Sequence, residues 1–365
     1  MDKKYLIIYH KEDNDGVFSA AIFYNYLNKT LKIEPSLIDL LPADYNYLNK
    51  ISNEYDIEKL HKDYKMIIMT DISFSDINYM KLLYEEFQSN FIWCDHHAPV
   101  IKLTNKTKLC NAEGIRDKSC SAILCAYRYL YDPFNVEQQY TPELFKVLSA
   151  WDSFTFKENG YTLNYVKNVN IGINYKFQLN IDKIIPIIQQ IIDSYDKDNK
   201  ECYFVDNKHI DVLLLEECEN YGKIINKYQD FINESLMTNS ADYGWKLYTG
   251  EYLFDNSPIF RTAVAIFMQG PTNSLMFKSI NKDNNNEIMN GIVFKHNNDS
   301  TWTISLYNIR EDEPTIEAGG FHCGEFLKKF YNGGGHIGAA GCTVSEDEFI
   351  KILKTKILGN YESIF

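Results

Sequence analysis

The stretch Tyr5-Leu6-Ile7-Ile8-Tyr9-His10-Lys11-Glu12-Asp13-Asn14-Asp15-Gly16 decides how the N-terminal half folds. Its apolar start reads as a short buried strand that runs straight into a polar turn carrying an imidazole and closely spaced carboxylates. Past Gly16, the apolar residues of Val17–Leu27 recur at helical spacing. Two later runs repeat the pattern: Met66-Ile67-Ile68-Met69 ends at Thr70-Asp71, and Phe91-Ile92-Trp93-Cys94 ends at Asp95-His96-His97. Short apolar strands with helices between them imply βαβ units around a parallel sheet. In open sheets of that kind, ligands sit beyond the carboxyl ends of the strands. Three distant segments therefore stand to deliver acidic and imidazole groups to one crevice.

Further along, Ile181–Ile192 and Asp211–Phe231 read as helices separated by a charged stretch, giving a helical connector over residues 181–240. From about Tyr243 the pattern changes. Strand-like runs at Lys246–Leu253, Thr262–Met268, Ile292–Lys295 and Thr301–Leu306 alternate with Asn/Asp-rich turns, followed by a helix at Glu325–Tyr331 and a glycine cluster. This predicts a second, smaller α/β domain over residues 241–365, with no internal repeat.

The chain has 365 residues, 45% hydrophobic and 24% charged, which fits a folded multidomain protein and excludes a disordered, collagen-like or small disulfide-rich one. With 37 Lys+Arg against 50 Asp+Glu the net charge is −13, so a general grip on long DNA is disfavoured by repulsion. The eight cysteines include no Cys-x-x-Cys pair. The first apolar run is too short for a signal peptide, and no run reaches the ~18 apolar residues of a membrane span. A cytoplasmic location with reduced thiols is expected.

Taken singly, Asp13, Asp15 and Asp71 are ordinary turn or cap residues. Gly16 lets backbone approach a ligand, and the adjacent His96 and His97 point in different directions in extended chain. Asp152 stands among aromatics in Trp151-Asp152-Ser153-Phe154, where a carboxylate is costly unless paired or metal-bound. Histidine with several carboxylates and no thiol suits Mn²⁺, with Mg²⁺ or Co²⁺ as alternatives. A carboxylate bridging two ions ~3.5–4 Å apart is the usual arrangement for phosphoryl chemistry.

His10-x-x-Asp13-x-Asp15-Gly16, then Asp71, then Asp95-His96-His97, then Asp152 resembles the ordered motif set of the DHH phosphoesterase superfamily. Asn332-Gly333-Gly334-Gly335-His336-Ile337-Gly338-Ala339-Ala340-Gly341 resembles the glycine-rich signature of the DHHA1 domain that follows it in one branch. The resemblance implies a DHH catalytic domain over residues 1–180 and a DHHA1 substrate-binding domain over 241–365. It implies two Mn²⁺ ions, one held by His10, Asp13 and Asp71, the other by Asp15, Asp71, His96 and Asp152. Asp71 would bridge them, His97 would face the scissile phosphate, and Asp95 would orient a ligand; Asp71, Asp95 and His97 form the implied catalytic set. The His10–Asp13 interval differs by one residue from that of many members.

The glycine run lacks the Gly-Lys-Ser/Thr of a P-loop, yet its amides can form an anion-binding concavity. The resemblance makes Gly333, Gly334, Gly335 and His336 the grip on a non-scissile phosphate or terminal nucleotide, with Arg310, Asn273 and, more weakly, Ser305 beside them.

Among the superfamily's branches, the glycine signature argues against family II pyrophosphatases, and the chain length leaves little room for the extra domains of RecJ-type exonucleases. The implied activity is hydrolysis of short oligoribonucleotides and linear dinucleotides to mononucleotides by two-metal activated water. The alternatives are a cyclic dinucleotide phosphodiesterase, a phosphatase of 3′-phosphoadenosine 5′-phosphate, or a catalytically silent nucleotide sensor. Expected partners are short RNA or dinucleotides, with no membrane and no stable hold on long DNA; a homodimer is left open.

Overall fold

The computed structural model describes residues 3–54, 57–98, 101–102, 107–131, 141–195, 204–205, 208–240, 245–254, 257–267, 277, 290–297, 300–308 and 322–352. The chain divides into two units, Met1–Asn226 and Lys227–Phe365.

The first unit is built on four parallel strands, β1 (Lys4–His10), β2 (Ile38–Ala43), β3 (Tyr64–Thr70) and β4 (Phe91–Cys94), in the order β2-β1-β3-β4. Ile7 of β1 lies opposite Leu40 on one side and Ile68 on the other. Both faces are covered, so the strands read as continuous apolar runs instead of alternating ones. Tyr5, Ile7, Tyr9, Ile68 and Cys94 enter one buried cluster, while Leu6, Ile8, Ile67, Met69 and Trp93 enter the other. Successive side chains on a strand point to opposite faces, and each face here has its own helical layer.

The helices are α1 (Asn14–Asn25), α2 (Tyr45–Glu54), α3 (Ile57–Asp63), α4 (Ile77–Phe87), α5 (Ala122–Tyr131), α6 (Glu143–Asp152), α7 (Leu163–Phe177), α8 (Ile181–Tyr195) and α9 (Ile210–Ser240). α1 is buried almost all round, as its near-continuous apolar content requires. The segment expected to be a connector is different in kind. Ile184, Ile188 and Ile191 of α8, with Leu214, Leu215 and Cys218 of α9, belong to the same buried cluster as α1. The apolar stripes of α8 and of the first part of α9 therefore complete the core of the first unit, whose boundary falls at Asn226, inside α9.

In the second unit, β7 (Trp245–Phe254), β8 (Ser257–Phe267), β9 (Asn290–His296), β10 (Thr301–Asn308), β11 (Gly334–Gly335) and β12 (Ala339–Ser345) form one sheet in the order β11-β12-β10-β9-β8-β7. Only the β8–β9 pairing among these is parallel. A short hairpin, β5 (Phe204–Val205) with β6 (Lys208–His209), belongs to the first unit. Helices α10 (Cys323–Tyr331) and α11 (Glu346–Ile352) pack on the sheet through Phe326, Leu327, Phe349 and Ile352. The smaller α/β domain expected from the sequence is thus present, as a largely antiparallel sheet with helices. Among the described residues, no helix is long and apolar enough to cross a membrane.

Candidate metal centre

Three strand ends and one helix end build the site. His10 closes β1, and Asp13 caps α1 with its Oδ1 accepting the amide of Gly16 at 2.9 Å. The other Asp13 oxygen is 2.9 Å from His10 Nδ1. A Cβ on Gly16 would lie 2.0 Å from the carbonyl oxygen of His10, so glycine is what lets the helix start against the strand end. Asp15, in the first turn of α1, is held from elsewhere: its oxygens accept the amides of Ala122 (2.7 Å) and Ile123 (2.8 Å). Those amides open α5, where the unpaired N–H groups and the helix dipole favour an anion.

Asp71 follows β3 with φ +58°, a left-handed conformation that aspartate tolerates better than most residues. Its Oδ2 lies 3.5 Å from His10 Nδ1 and its Oδ1 lies 3.3 Å from His96 Nε2. His96 Nε2 is also 3.1 Å from Asp152 Oδ2, at the end of α6, and 3.6 Å from Asp15 Oδ2. Asp95 is buried and acts as an acceptor hub. Its Oδ1 takes the amides of His96 (2.7 Å) and His97 (3.0 Å) and faces His97 Nδ1 at 2.7 Å; its Oδ2 takes the Trp93 indole at 3.2 Å. Arg116 stacks 5.6 Å over that indole and donates to the carbonyls of Trp93 (2.9 Å) and Ala112 (2.7 Å), which braces the β4 end.

Two donor groups emerge, His10–Asp13–Asp71 and Asp15–His96–Asp152, each with ligand atoms within 4.8 Å of one another; a third combination joins Asp71, His96 and His97. Asp71 reaches both groups, one oxygen to each. The donor set fits a divalent cation on a direct observation: both Asp71 oxygens and Asp152 Oδ2 are buried without a well-formed hydrogen bond. One His96 nitrogen can donate at most one proton and cannot satisfy the three carboxylates around it. Buried carboxylate oxygens left this way are unstable unless protonated or bound to metal.

The electrostatics agree. Burial, reinforced by Asp13 and Asp15, pushes the Asp71 carboxyl well above the usual range. Burial and the charge of Asp15 do the same to Asp152. Burial also raises Asp15, against the pull of His96. Asp13 goes the other way: burial opposes ionisation, but the hydrogen bond and charge of His10 bring it down to about 2. Burial acts to lower all three imidazoles, yet carboxylates outweigh it and raise His10 (Asp13, Asp71), His96 (Asp152, Asp15) and His97 (Asp95). Asp95 itself is lowered by His97 despite burial.

The sequence-predicted residues His10, Asp13, Asp15, Asp71, Asp95, His96, His97 and Asp152 all meet here. The Ala122 and Ile123 amides and the Trp93–Arg116 brace were not anticipated, because a backbone donor carries no residue signature. Away from the site and the glycine run, His61 pairs with Glu86, His209 stacks on Tyr195 at 4.4 Å, His296 lies 3.9 Å from Glu346, and His322 caps α10 by accepting the Glu325 amide at 3.1 Å. An open depression of about 440 Å³ beside β2, lined by Leu6, Ile38, Asp39, Leu40, Leu41 and Tyr64, includes none of the cluster. Its one carboxylate, Asp39, is taken by Lys4 and Tyr64.

In the second unit the glycine run is more closed than expected. Gly334 and Gly335 pair as β11 with Gly341 and Ala340. The Gly333 amide donates to Leu327 and the His336 amide to Ala339, so two of the amides expected to face an anion are used by the chain itself. Gly335 has φ +140°, which only glycine adopts readily, and a Cβ on Gly334 would meet nothing within 4 Å. Ser305 sits within β10, opposite Gly341 and Val293. Arg310 and Asn273 lie outside the described residues.

Residues 4–150 match the family model described as "DHH family, N-terminal domain". Over these residues the chain carries the N-terminal domain of the DHH family. Asp152 lies just beyond the matched stretch of the DHH domain, and its place in the cluster comes from the geometry. Compared with curated proteins, the sequence finds no match. Among solved structures it is similar to an uncharacterized protein from Helicobacter pylori G27, with 14% identity and a TM-score of 0.39, covering 97% of this chain and 99% of that one. RecJ from Thermus thermophilus in complex with Mn²⁺ is similar at 13% identity and a TM-score of 0.47, covering 96% of this chain and 51% of that one, so this chain spans about half its length. An exonuclease RecJ bound to manganese is similar at 11% identity and a TM-score of 0.42, covering 96% and 88%.

Proposed function

We propose that this chain is a Mn²⁺-dependent phosphodiesterase that hydrolyses short oligoribonucleotides and linear dinucleotides to mononucleotides in the cytoplasm. The observation that carries the reading is Asp71, whose two oxygens reach two separate donor groups and, among the described residues, make no well-formed hydrogen bond. His10, Asp13 and Asp71 would hold one divalent cation, and Asp15, His96, Asp152 and Asp71 the other. Hard carboxylates with imidazoles and no thiol favour Mn²⁺, with Mg²⁺ or Co²⁺ as substitutes. Such a pair supplies charge neutralisation for a phosphodiester oxygen and makes water nucleophilic at neutral pH. The protein's own part is orientation. Asp95 fixes His97 through its Nδ1 and favours its protonated form, which positions it as an acid toward a leaving oxygen. The α5 amides hold Asp15 in place.

A net charge of −13 disfavours a long polyanion and leaves short ones accessible. We assign the second unit to substrate binding through Gly333–Gly335 and His336, with Arg310 and Asn273 as further contacts. The seven described cysteines are free thiols, in keeping with a reducing compartment.

A substrate panel tests the reading: the 5′-phosphorylated dinucleotide pApA, cyclic di-AMP, 3′-phosphoadenosine 5′-phosphate, a five-nucleotide RNA and a long single strand, each with Mn²⁺ and with EDTA. Metal-dependent release of AMP from pApA, ahead of the long strand, is expected. Stoichiometric binding of pApA without turnover would instead identify a nucleotide sensor.

A further inference from the structure

The cluster has an aromatic neighbour, Tyr45. The Tyr45 ring centroid lies 5.8 Å from that of His10, tilted by 52°, and 6.3 Å from that of His97, nearly perpendicular at 89°. It thus leans on one imidazole from the first donor group and on the imidazole assigned to the scissile phosphate. Yet it remains 36% exposed, beside side chains that are mostly buried.

The ring is held there by construction. Tyr45 opens α2 directly after β2, and Asp44 caps that helix by accepting the Tyr47 amide at 2.8 Å. The other Asp44 oxygen pairs with Lys11 Nζ at 2.7 Å, and the Lys11 amide donates to the Ala43 carbonyl at 3.1 Å. Lys11, just after His10, is therefore tied at two points to Ala43 and Asp44, just before Tyr45. An aromatic ring fixed in this way loses little entropy on contact with a ligand, and aromatic faces stack on any nucleobase.

We propose that Tyr45 contacts the substrate, its ring stacking on the base of the nucleotide next to the scissile phosphate. This rests on the phosphodiesterase reading above. The reacting phosphate has to lie against His97 and Asp71, which are 3.8 Å apart, and Tyr45 is the next ring outward from His97. Being in ring contact with His97 and 36% exposed, Tyr45 is available to the base of a nucleoside attached to that phosphate. As an accessory to the site, Tyr45 serves binding more than the chemical step, so its signature is in KM.

The experiment is steady-state kinetics of the full chain with Mn²⁺, comparing wild type with Tyr45→Ala, Tyr45→Phe and Tyr45→Trp. The substrates are pApA and two versions of it, each with one base replaced by hydrogen. Tyr45→Ala should raise KM for pApA about tenfold, as loss of one stacked base predicts, with kcat changed less than about threefold. Tyr45→Phe and Tyr45→Trp should restore KM to within about twofold, since both keep a stacking face. The Tyr45→Ala penalty should vanish on one of the two abasic dinucleotides and persist on the other, which a merely structural residue would not produce. Mn²⁺ affinity, measured by calorimetry, should match wild type. An unchanged KM in Tyr45→Ala, an equal penalty on both abasic substrates, or weakened Mn²⁺ binding overturns the assignment while leaving the phosphodiesterase reading intact. Absence of turnover by wild type on pApA overturns both.

Discussion

His96 Nε2 lies 3.1 Å from Asp152 Oδ2, joining the end of β4 to the end of α6. Neither partner is satisfied by the other alone: the same nitrogen faces Asp71 and Asp15, and Asp152 Oδ2 is buried without a well-formed hydrogen bond. An imidazole and carboxylates this close, with their hydrogen bonds incomplete, form a group that could hold a divalent cation. Four consequences can be measured.

Asp152→Asn removes one charged oxygen from the second donor group and leaves the first intact. Calorimetric titration with Mn²⁺ should fall from two sites to one. Turnover should drop by more than the ~10–100-fold that loss of an outer partner of a metal ligand costs. Two sites of normal affinity in this variant would contradict the second group.

Asp71→Asn should be the most damaging single change for activity and the least damaging for the fold. Asparagine accepts the φ of +58°, and the substitution removes a buried carboxylate beside Asp13 and Asp15. In EDTA its urea midpoint should equal or exceed that of wild type. Turnover should fall more than about 10²-fold, the scale of losing one preorganised electrostatic contact. Wild type held at about 100 times its Kd for Mn²⁺ should gain about 2.7 kcal/mol of stability by mass action for each site filled, and Asp71→Asn should gain clearly less.

Gly16→Ala brings a methyl group to 2.0 Å from the His10 carbonyl oxygen. The overlap is with backbone, which cannot step aside, so α1 has to shift against β1. A loss of about 1–3 kcal/mol in unfolding free energy is expected, together with weaker binding at the His10–Asp13–Asp71 group. Stability equal to wild type would show that the strand end and the helix start are not locked together as the structure has them.

Mn²⁺ affinity should rise with pH. Burial and neighbouring carboxylates hold the Asp71 and Asp152 carboxyls well above their ordinary range, and the carboxylates raise His10 and His96 in spite of burial. Without metal these groups keep protons to higher pH than isolated side chains do, and a cation has to displace them. The sign is therefore fixed: tighter binding at about pH 8 than at about pH 6, by about tenfold per pH unit for each proton released. Calorimetry in buffers of different ionisation heat counts those protons; a heat that does not depend on the buffer would refute the coupling.

Much of this was legible in the sequence. The three apolar runs ending in Asp or His predicted a parallel sheet with its chemistry at the carboxyl ends, and β1, β3 and β4 appear within a few residues of those runs. What the sequence concealed has identifiable causes. β2 escaped notice because Pro42 and Asp39 interrupt its apolar pattern; it lies at the sheet edge, where a missing amide is tolerated. The helices of residues 181–240 read as a connector because their apolar spacing is broken, and only their place in the first unit's buried cluster shows which sides of α8 and of the start of α9 are buried. In the glycine run, the sequence showed conformational freedom but not that the Gly333 and His336 amides would be taken by Leu327 and Ala339.

By itself the sequence determined which residue types stand at strand ends, because apolar period and polar interruption are local properties of the chain. Tertiary structure alone decided that Asp15 is held by the amides of Ala122 and Ile123, that Asp71 shares its two oxygens between His10 and His96, and that the Tyr45 ring leans on His97. Each of those facts is a distance between segments remote in the chain. Such distances are set by how the two faces of the sheet pack, which no local pattern encodes.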